Sequence, residues 1–203
     1  MRILSFRPSS TKKRCELPSV EATPLFFAVL ALSCLFDKSG LFPCVLLAIL
    51  LHELGHAAAL RLFRMPISII RFRSFGLELI ADLPEGKRAV LVMLAGPCFN
   101  LLTAMLLRLS GLTFFTFGRN LFLCSLLLGV LHLLPVDGLD GGNALLCLTG
   151  KRASKVIRTF TLVLTVLCFA VGVFLLFSQK NPSLLILALW LWGNSFGQKK
   201  NSV

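Results

Sequence analysis

Residues 41–63 read LFPCVLLAILLHELGHAAALRLF, an apolar run long enough to span a membrane that nevertheless contains His52, Glu53 and His56. Ionisable side chains are costly in hydrocarbon, so those inside a span are candidates for a functional site. Residues four positions apart share one face of a helix, so both imidazoles can reach one metal ion. Glu53 projects about 100° away from His52, beside the two rings. A general base acting on a water molecule at the metal would lie there, so the segment predicts metal-dependent hydrolysis inside a membrane.

The composition predicts an all-α polytopic membrane protein. Of the 203 residues 56% are hydrophobic and only 15% are charged, whereas soluble domains average about 25% charged residues. Six apolar runs predict about six transmembrane helices, at residues 24–36, 41–63, 89–107, 120–134, 160–177 and 184–192. The first, fourth and sixth runs are shorter than the roughly 20 residues that a perpendicular helix needs, which leaves open whether they are full spans.

The distribution of basic residues predicts the orientation and the domain organisation. With the N-terminus in the cytosol, only four of the 21 Lys and Arg residues fall on the opposite side, as the positive-inside rule requires: Lys38, Arg108, Arg119 and Lys180. Both termini are therefore expected to be cytosolic. We expect a basic cytosolic tail at residues 1–23, one transmembrane domain at 24–196 with its core at 41–148, and a cytosolic tail at 197–203.

Charge and cysteine content exclude several other classes of protein. The net charge of +12 is explained by this topology, and the basic tail lacks the interleaved aromatic residues typical of nucleic-acid binding. The tail shows no small-residue cleavage site, so we expect it to be retained. Seven scattered cysteines without a C-x-x-C pair argue against a disulfide framework or a second metal site.

Residues 66–82 have a different pattern from the spans. Apolar and polar side chains partly alternate, Gly76 interrupts the run, and β-branched residues are frequent at its start. This pattern predicts a short membrane-associated β-hairpin. The alternative is a loop on the membrane surface, anchored by Arg71 and Arg73.

Two histidines do not complete a hydrolytic zinc site, which usually has three protein ligands and one open position. Besides Glu53, only two acidic residues, Asp137 and Asp140, directly follow an apolar run at comparable membrane depth. Pro135 and the neighbouring glycines are expected to break the fourth span here, and irregular backbone at this depth is tolerated where it lines protein or a cavity. Either aspartate is a candidate for the third ligand.

Three ordered motifs resemble those of the site-2 proteases, which are intramembrane zinc metalloproteases. HELGH at residues 52–56 matches the family's H-E-x-x-H, GPCFN at 96–100 matches its G-P-x-x-N, and LDGG at 139–142 contains its L-D-G. The resemblance covers residues 41–148. The small six-span plan is similar to that of the compact bacterial members, such as the stage IV sporulation protein FB group.

The resemblance implies a site and an activity. Zn²⁺ would be bound by His52, His56 and Asp140, and the L-D-G context favours Asp140 over Asp137. Glu53 would be the catalytic base that activates water for attack on the scissile carbonyl. The substrate would be a membrane-tethered protein cleaved in or near its transmembrane segment. The expected location is a bacterial cytoplasmic membrane, with a regulatory membrane partner possible.

Two polar residues are assigned to substrate positioning by the same resemblance. Asn100 would position or polarise the substrate near the metal. His132 stands where the family usually has Asn, and the prolines usual around positions 137 and 138 are absent. His132 therefore either replaces the Asn as a substrate contact or is structural.

The alternative function is a non-proteolytic membrane protein, such as a metal-ion carrier, that keeps the site for metal binding. A carrier needs ligands but has no need of a carboxylate beside them. The presence of Glu53 therefore favours the protease.

Overall fold

The computed structural model describes residues 19–37, 39–73, 76–81 and 86–179. Leu112–Phe114 and Gly150–Ala153 form short 3-10 helices. The other elements, in chain order, are β1 (Ser19–Ala22), α1 (Pro24–Phe36), α2 (Leu41–Leu62), β2 (Ile67–Arg73), β3 (Gly76–Ala81), α3 (Lys87–Leu109), α4 (Thr116–Leu133), α5 (Asp140–Thr149) and α6 (Ser154–Gln179).

The helices confirm the predicted class of integral membrane protein. Four of the described helices, α2, α3, α4 and α6, are long and apolar enough to cross a membrane. They correspond to the second, third, fourth and fifth predicted spans. The first predicted span is α1, whose 13 residues fall short of the roughly 20 that a perpendicular crossing needs. The sixth predicted span, residues 184–192, lies outside the described residues.

The start of α2, the helix that carries HELGH, is fixed by Asp37. Its carboxylate accepts hydrogen bonds from the Ser39 hydroxyl at 2.7 Å and from the Phe42 N–H at 2.8 Å. These bonds, the Ser39 hydroxyl first, hold the pKa of Asp37 below its usual range. A carboxylate at this end of a helix satisfies backbone N–H groups that have no partner within the helix.

The predicted break after the fourth span is present. Helix α4 ends at Leu133, Leu134 is extended, and a new helix, α5, begins at Asp140. Pro135 explains the end of α4, because proline has no N–H to donate and disfavours helical backbone in the residue before it. Gly138 has a positive φ of 84°, which glycine adopts without steric cost. The break places Asp140 at the first turn of α5, within the bundle.

The predicted hairpin is confirmed, and it belongs to a larger sheet. β2 and β3 pair antiparallel, with Ile70 opposite Leu79. β1 adds to the other edge of β2 in a parallel register, with Val20 opposite Ile70, so the order is β1-β2-β3. Residues 19–22 were predicted to belong to the basic tail, because a four-residue strand has too little pattern to be recognised without its partner.

Helix α3 lies at the centre of the bundle and packs against α2, α4 and α5. Small residues allow the helices to approach closely. A Cβ on Gly55 of α2 would lie 2.7 Å from the Ala95 carbonyl oxygen of α3, and one on Gly129 of α4 would lie 3.1 Å from the Pro97 carbonyl oxygen. Membrane helices commonly use small residues in this way. In lipid the hydrophobic effect does not drive helices together, so close van der Waals packing holds them instead. The polar side chains described below lie inside this bundle.

Candidate metal centre

Three side chains predicted as zinc ligands meet inside the bundle. The Nε2 atoms of His52 and His56 are 3.2 Å apart, and they lie 3.0 Å and 3.4 Å, respectively, from Oδ2 of Asp140. All three residues are at most 1% exposed. Ligand atoms bound tetrahedrally to one zinc at 2.0–2.1 Å are about 3.3 Å from one another. The three distances therefore match the spacing of ligands around a single ion.

The proton of His56 shows which of its nitrogens can bind a metal. Its Nδ1 lies 2.8 Å from the Val92 carbonyl oxygen, and because a carbonyl only accepts, Nδ1 must carry the proton. In the neutral ring, Nε2 then has a lone pair directed towards Asp140. A metal-ligating histidine usually donates its other N–H to such a partner, which fixes the tautomer and the ring orientation.

The donor set fits a cation. In the neutral ring the lone pair of His56 Nε2 faces a carboxylate oxygen, an arrangement that is repulsive unless a proton or a metal ion lies between them. The second oxygen of Asp140, Oδ1, is buried without a hydrogen-bond partner among the described residues. Two imidazoles and a carboxylate, brought together in this way, are a ligand set that zinc uses in hydrolytic enzymes.

The glycines of two motifs allow close approaches around these side chains. A Cβ on Gly96, the first residue of GPCFN, would overlap the His56 imidazole. Cβ atoms on Gly141 and Gly142 would overlap the carbonyl groups of Leu133 and Val136, respectively. The chain that returns from α4 therefore lies directly against the first turn of α5. This close approach is what holds Asp140 opposite the two histidines.

Glu53, the predicted base, is 2% exposed and follows His52 on α2. It is therefore buried in the same bundle as the ligands. A carboxylate at this depth is costly unless it has a function or a partner.

Asn100, the predicted substrate contact, lies against His52, one of the predicted zinc ligands. Its amide Nδ2 is 3.3 Å from Nδ1 of His52, the residue is fully buried, and its Oδ1 has no hydrogen-bond partner within the described residues. A half-turn of the amide, whose two ends have nearly the same shape, would let Oδ1 accept the Nδ1 proton of His52. The Nε2 of His52 would then be free to bind a metal ion, as would that of a neutral His56. Both imidazoles are thus oriented from α3.

Replacing Asn100 with alanine is expected to weaken zinc binding by about 10- to 100-fold, the range seen when a residue that orients a ligand is lost. Competition with a chelator on the purified protein measures this affinity. Thr103→Ala is the matched control, because among the described residues the Thr103 hydroxyl on the same helix bonds to the Phe99 carbonyl of its own turn. Unchanged zinc affinity in Asn100→Ala would show that Asn100 does not support His52 as a ligand. The substrate contact expected from its motif would then be its remaining role.

The structure separates the two candidate aspartates. Asp140 lies among the histidines, whereas Asp137 is partly buried in the turn before α5, and its backbone N–H donates to Thr161 Oγ1 of α6 at 2.9 Å. His132 also lies at the centre: its Nδ1 is 2.8 Å from Asp140 Oδ2, and its ring packs edge-on against that of His52. From the sequence His132 was expected to be a substrate contact or structural, and its contact with Asp140 was not predicted. The signal available was its position eight residues before Asp140.

Comparison with known proteins identifies the fold. No protein-family model matches the chain, and no curated protein matches its sequence. Among solved structures, the chain is similar to a site-2 protease from Methanocaldococcus jannaschii, with a TM-score of 0.64 and 20% sequence identity over 91% of each chain. The protein therefore has the fold of a site-2 protease over nearly its whole length.

Proposed function

We propose that this protein is an intramembrane zinc metalloprotease of the site-2 type. The observation that carries the proposal is the convergence of His52 Nε2, His56 Nε2 and Asp140 Oδ2 within 3.0–3.4 Å of one another, buried in a bundle with this fold. The three motifs in the same order support it. Glu53 beside the ligands favours hydrolysis over metal transport.

The reaction would be the addition of water to a peptide bond. A zinc ion held by His52, His56 and Asp140 supplies Lewis-acid chemistry, which polarises a carbonyl and makes water easier to deprotonate. Glu53 takes a proton from the water whose oxygen attacks the carbonyl carbon. The C–N bond then breaks, and Glu53 returns the proton to the departing amine nitrogen. Val92 and Asn100 keep the two imidazoles in the orientation that the ligands require.

The substrate would be a membrane-tethered protein whose helix unwinds to expose an amide. β3 is an outer strand of the described sheet, and an extended segment can add to such an edge by main-chain hydrogen bonds. Ala81 at the end of β3 packs with Leu60 of α2 and Val92 of α3. Leu60 is one helical turn after His56, so a strand paired there would lie close to the ligands.

The expected setting is a bacterial cytoplasmic membrane, with both termini in the cytosol and a regulatory membrane protein as a further partner. The basic residues favour this orientation. On that orientation His56 lies eight residues before Arg64, which corresponds to about 12 Å below the cytosolic surface at 1.5 Å per residue.

Removal of zinc is expected to abolish cleavage of single-span membrane proteins reconstituted with the purified enzyme. Stripping with a chelator should stop the reaction, and Zn²⁺ should restore it where Mg²⁺ does not, because nitrogen ligands suit zinc better than magnesium. Cleavage is measured on a panel of single-span proteins by gel electrophoresis and mass spectrometry. Chelator-resistant cleavage would contradict the metal mechanism. Bound zinc without cleavage of any member would favour the metal-binding or carrier alternative.

A further inference from the structure

All three histidines of the chain meet at one oxygen atom. Asp140 Oδ2 lies 2.8 Å from His132 Nδ1, 3.0 Å from His52 Nε2 and 3.4 Å from His56 Nε2. His132 is 4% exposed. It is therefore part of the buried polar cluster and does not stand at an open face where a substrate contact alone would be expected.

The cluster contains the ligand atoms that a cation would need. In the neutral ring of His56 the proton is donated from Nδ1 to Val92, and the Nε2 lone pair then faces the same carboxylate oxygen as His132. A cation among the ligand atoms would be attracted by all of them. His132, His52 and Asp140 each offer a ligand atom within 4.8 Å of the others, so His132 meets this distance condition together with two of the residues predicted from the motifs, His52 and Asp140.

We propose that His132 is a fourth protein ligand, which completes a three-histidine, one-aspartate zinc site while no substrate is bound. This inference rests on the zinc binding of the proposed function and adds a residue to it. Neutral imidazole is a good zinc ligand, whereas an amide oxygen suits harder ions. The presence of His where the family usually has Asn therefore gives position 132 a side chain that can bind zinc directly.

A fourth protein ligand has a consequence for regulation. Zinc sites with four protein ligands are closed, and catalysis needs one open position. The resting enzyme would therefore be latent until a substrate displaces His132. His132 is the last residue but one of α4, next to the irregular segment at Leu134–Leu139. Its displacement would require movement at a helix end and would leave the helix interior intact.

Two substitutions at this position distinguish a ligand from a hydrogen-bond donor. Asparagine in His132→Asn can still donate a hydrogen bond to Asp140, but it replaces imidazole poorly as a zinc ligand. His132→Ala removes both abilities. Ser125→Ala is the matched control, because Ser125 is buried on the same helix and its hydroxyl has no hydrogen-bond partner among the described residues.

The experiment measures zinc affinity by chelator competition, and the visible spectrum of the Co²⁺-substituted protein, in detergent. We expect His132→Asn and His132→Ala to bind zinc more than about 100-fold more weakly, beyond the range for residues that only support a ligand, and both to change the Co²⁺ spectrum. Ser125→Ala should match the wild type. Circular dichroism establishes folding, and if His132→Ala does not fold, His132→Asn decides alone.

Wild-type affinity and an unchanged Co²⁺ spectrum in His132→Asn would overturn this inference and leave His132 as a hydrogen-bond donor to Asp140. The proposed function would stand in that case. It would fail separately if the wild-type protein bound neither Zn²⁺ nor Co²⁺, and the fourth-ligand inference would then fall with it.

Discussion

Glu53→Gln is expected to lower the rate of substrate cleavage by a factor on the order of 10² to 10⁴, the usual contribution of a general base, while the protein keeps its zinc. Glutamine has nearly the shape of glutamate but cannot take a proton from water. The three proposed ligands, His52, His56 and Asp140, are untouched by this substitution. Cleavage of co-expressed single-span proteins is measured in cells. The zinc content is measured on the variant purified from the same cells.

The control for this substitution is Glu21→Gln. Glu21 is exposed on β1 and pairs with Arg71 at 2.7 Å, and a surface ion pair of this kind contributes about 0–1 kcal/mol. The control removes the same charge outside the bundle and should cleave like the wild type. Equal rates for Glu53→Gln and the wild type, with zinc bound in both, would refute the proteolytic mechanism.

Asp140→Asn is expected to reduce zinc affinity by more than about 100-fold, because it removes a ligand and not merely its support. Loss of the negative charge also removes the attraction that offsets the burial of a divalent ion at this depth. The same substitution three residues earlier, Asp137→Asn, should retain zinc. Its bond to Thr161 is made by the backbone N–H, which the substitution leaves in place.

Metal analysis of the two purified variants measures this difference directly. The comparison is closely matched, since both variants lose one carboxylate and the two positions are three residues apart, Asp137 in the turn before α5 and Asp140 at the start of α5. Retention of zinc in Asp140→Asn and its loss in Asp137→Asn would reassign the third ligand. Zinc content equal to that of the wild type in both variants would show that neither aspartate binds the metal.

The local features of this fold could be predicted well. The apolar runs predicted the spans at α2, α3, α4 and α6, and Pro135 predicted the end of α4, because both depend on neighbouring residues alone. Alternation over residues 66–82 predicted the β2–β3 hairpin. β1 was missed, since its four residues become a strand only through pairing with β2, about 50 positions further along the chain.

The candidate site could be predicted in its composition but not in its contacts. The four-residue spacing placed His52 and His56 on one helix face, and the motif order supplied Asp140 and Asn100. The contact of Asn100 with His52, and that of His132 with Asp140, carry no local pattern. Each depends on how α3 and the α4–α5 turn pack against α2.

The sequence by itself determined that the chain is a membrane protein and that His52, Glu53 and His56 share a buried helix, because hydropathy and helical periodicity act over a few turns. Only the tertiary structure decided which aspartate meets the histidines. Asp140 is 88 residues from His52 in the chain, and its position follows from the close approach that Gly96, Gly141 and Gly142 allow. The same packing brings His132 to the Asp140 carboxylate, because the end of α4 and the start of α5 meet at the two histidines of α2.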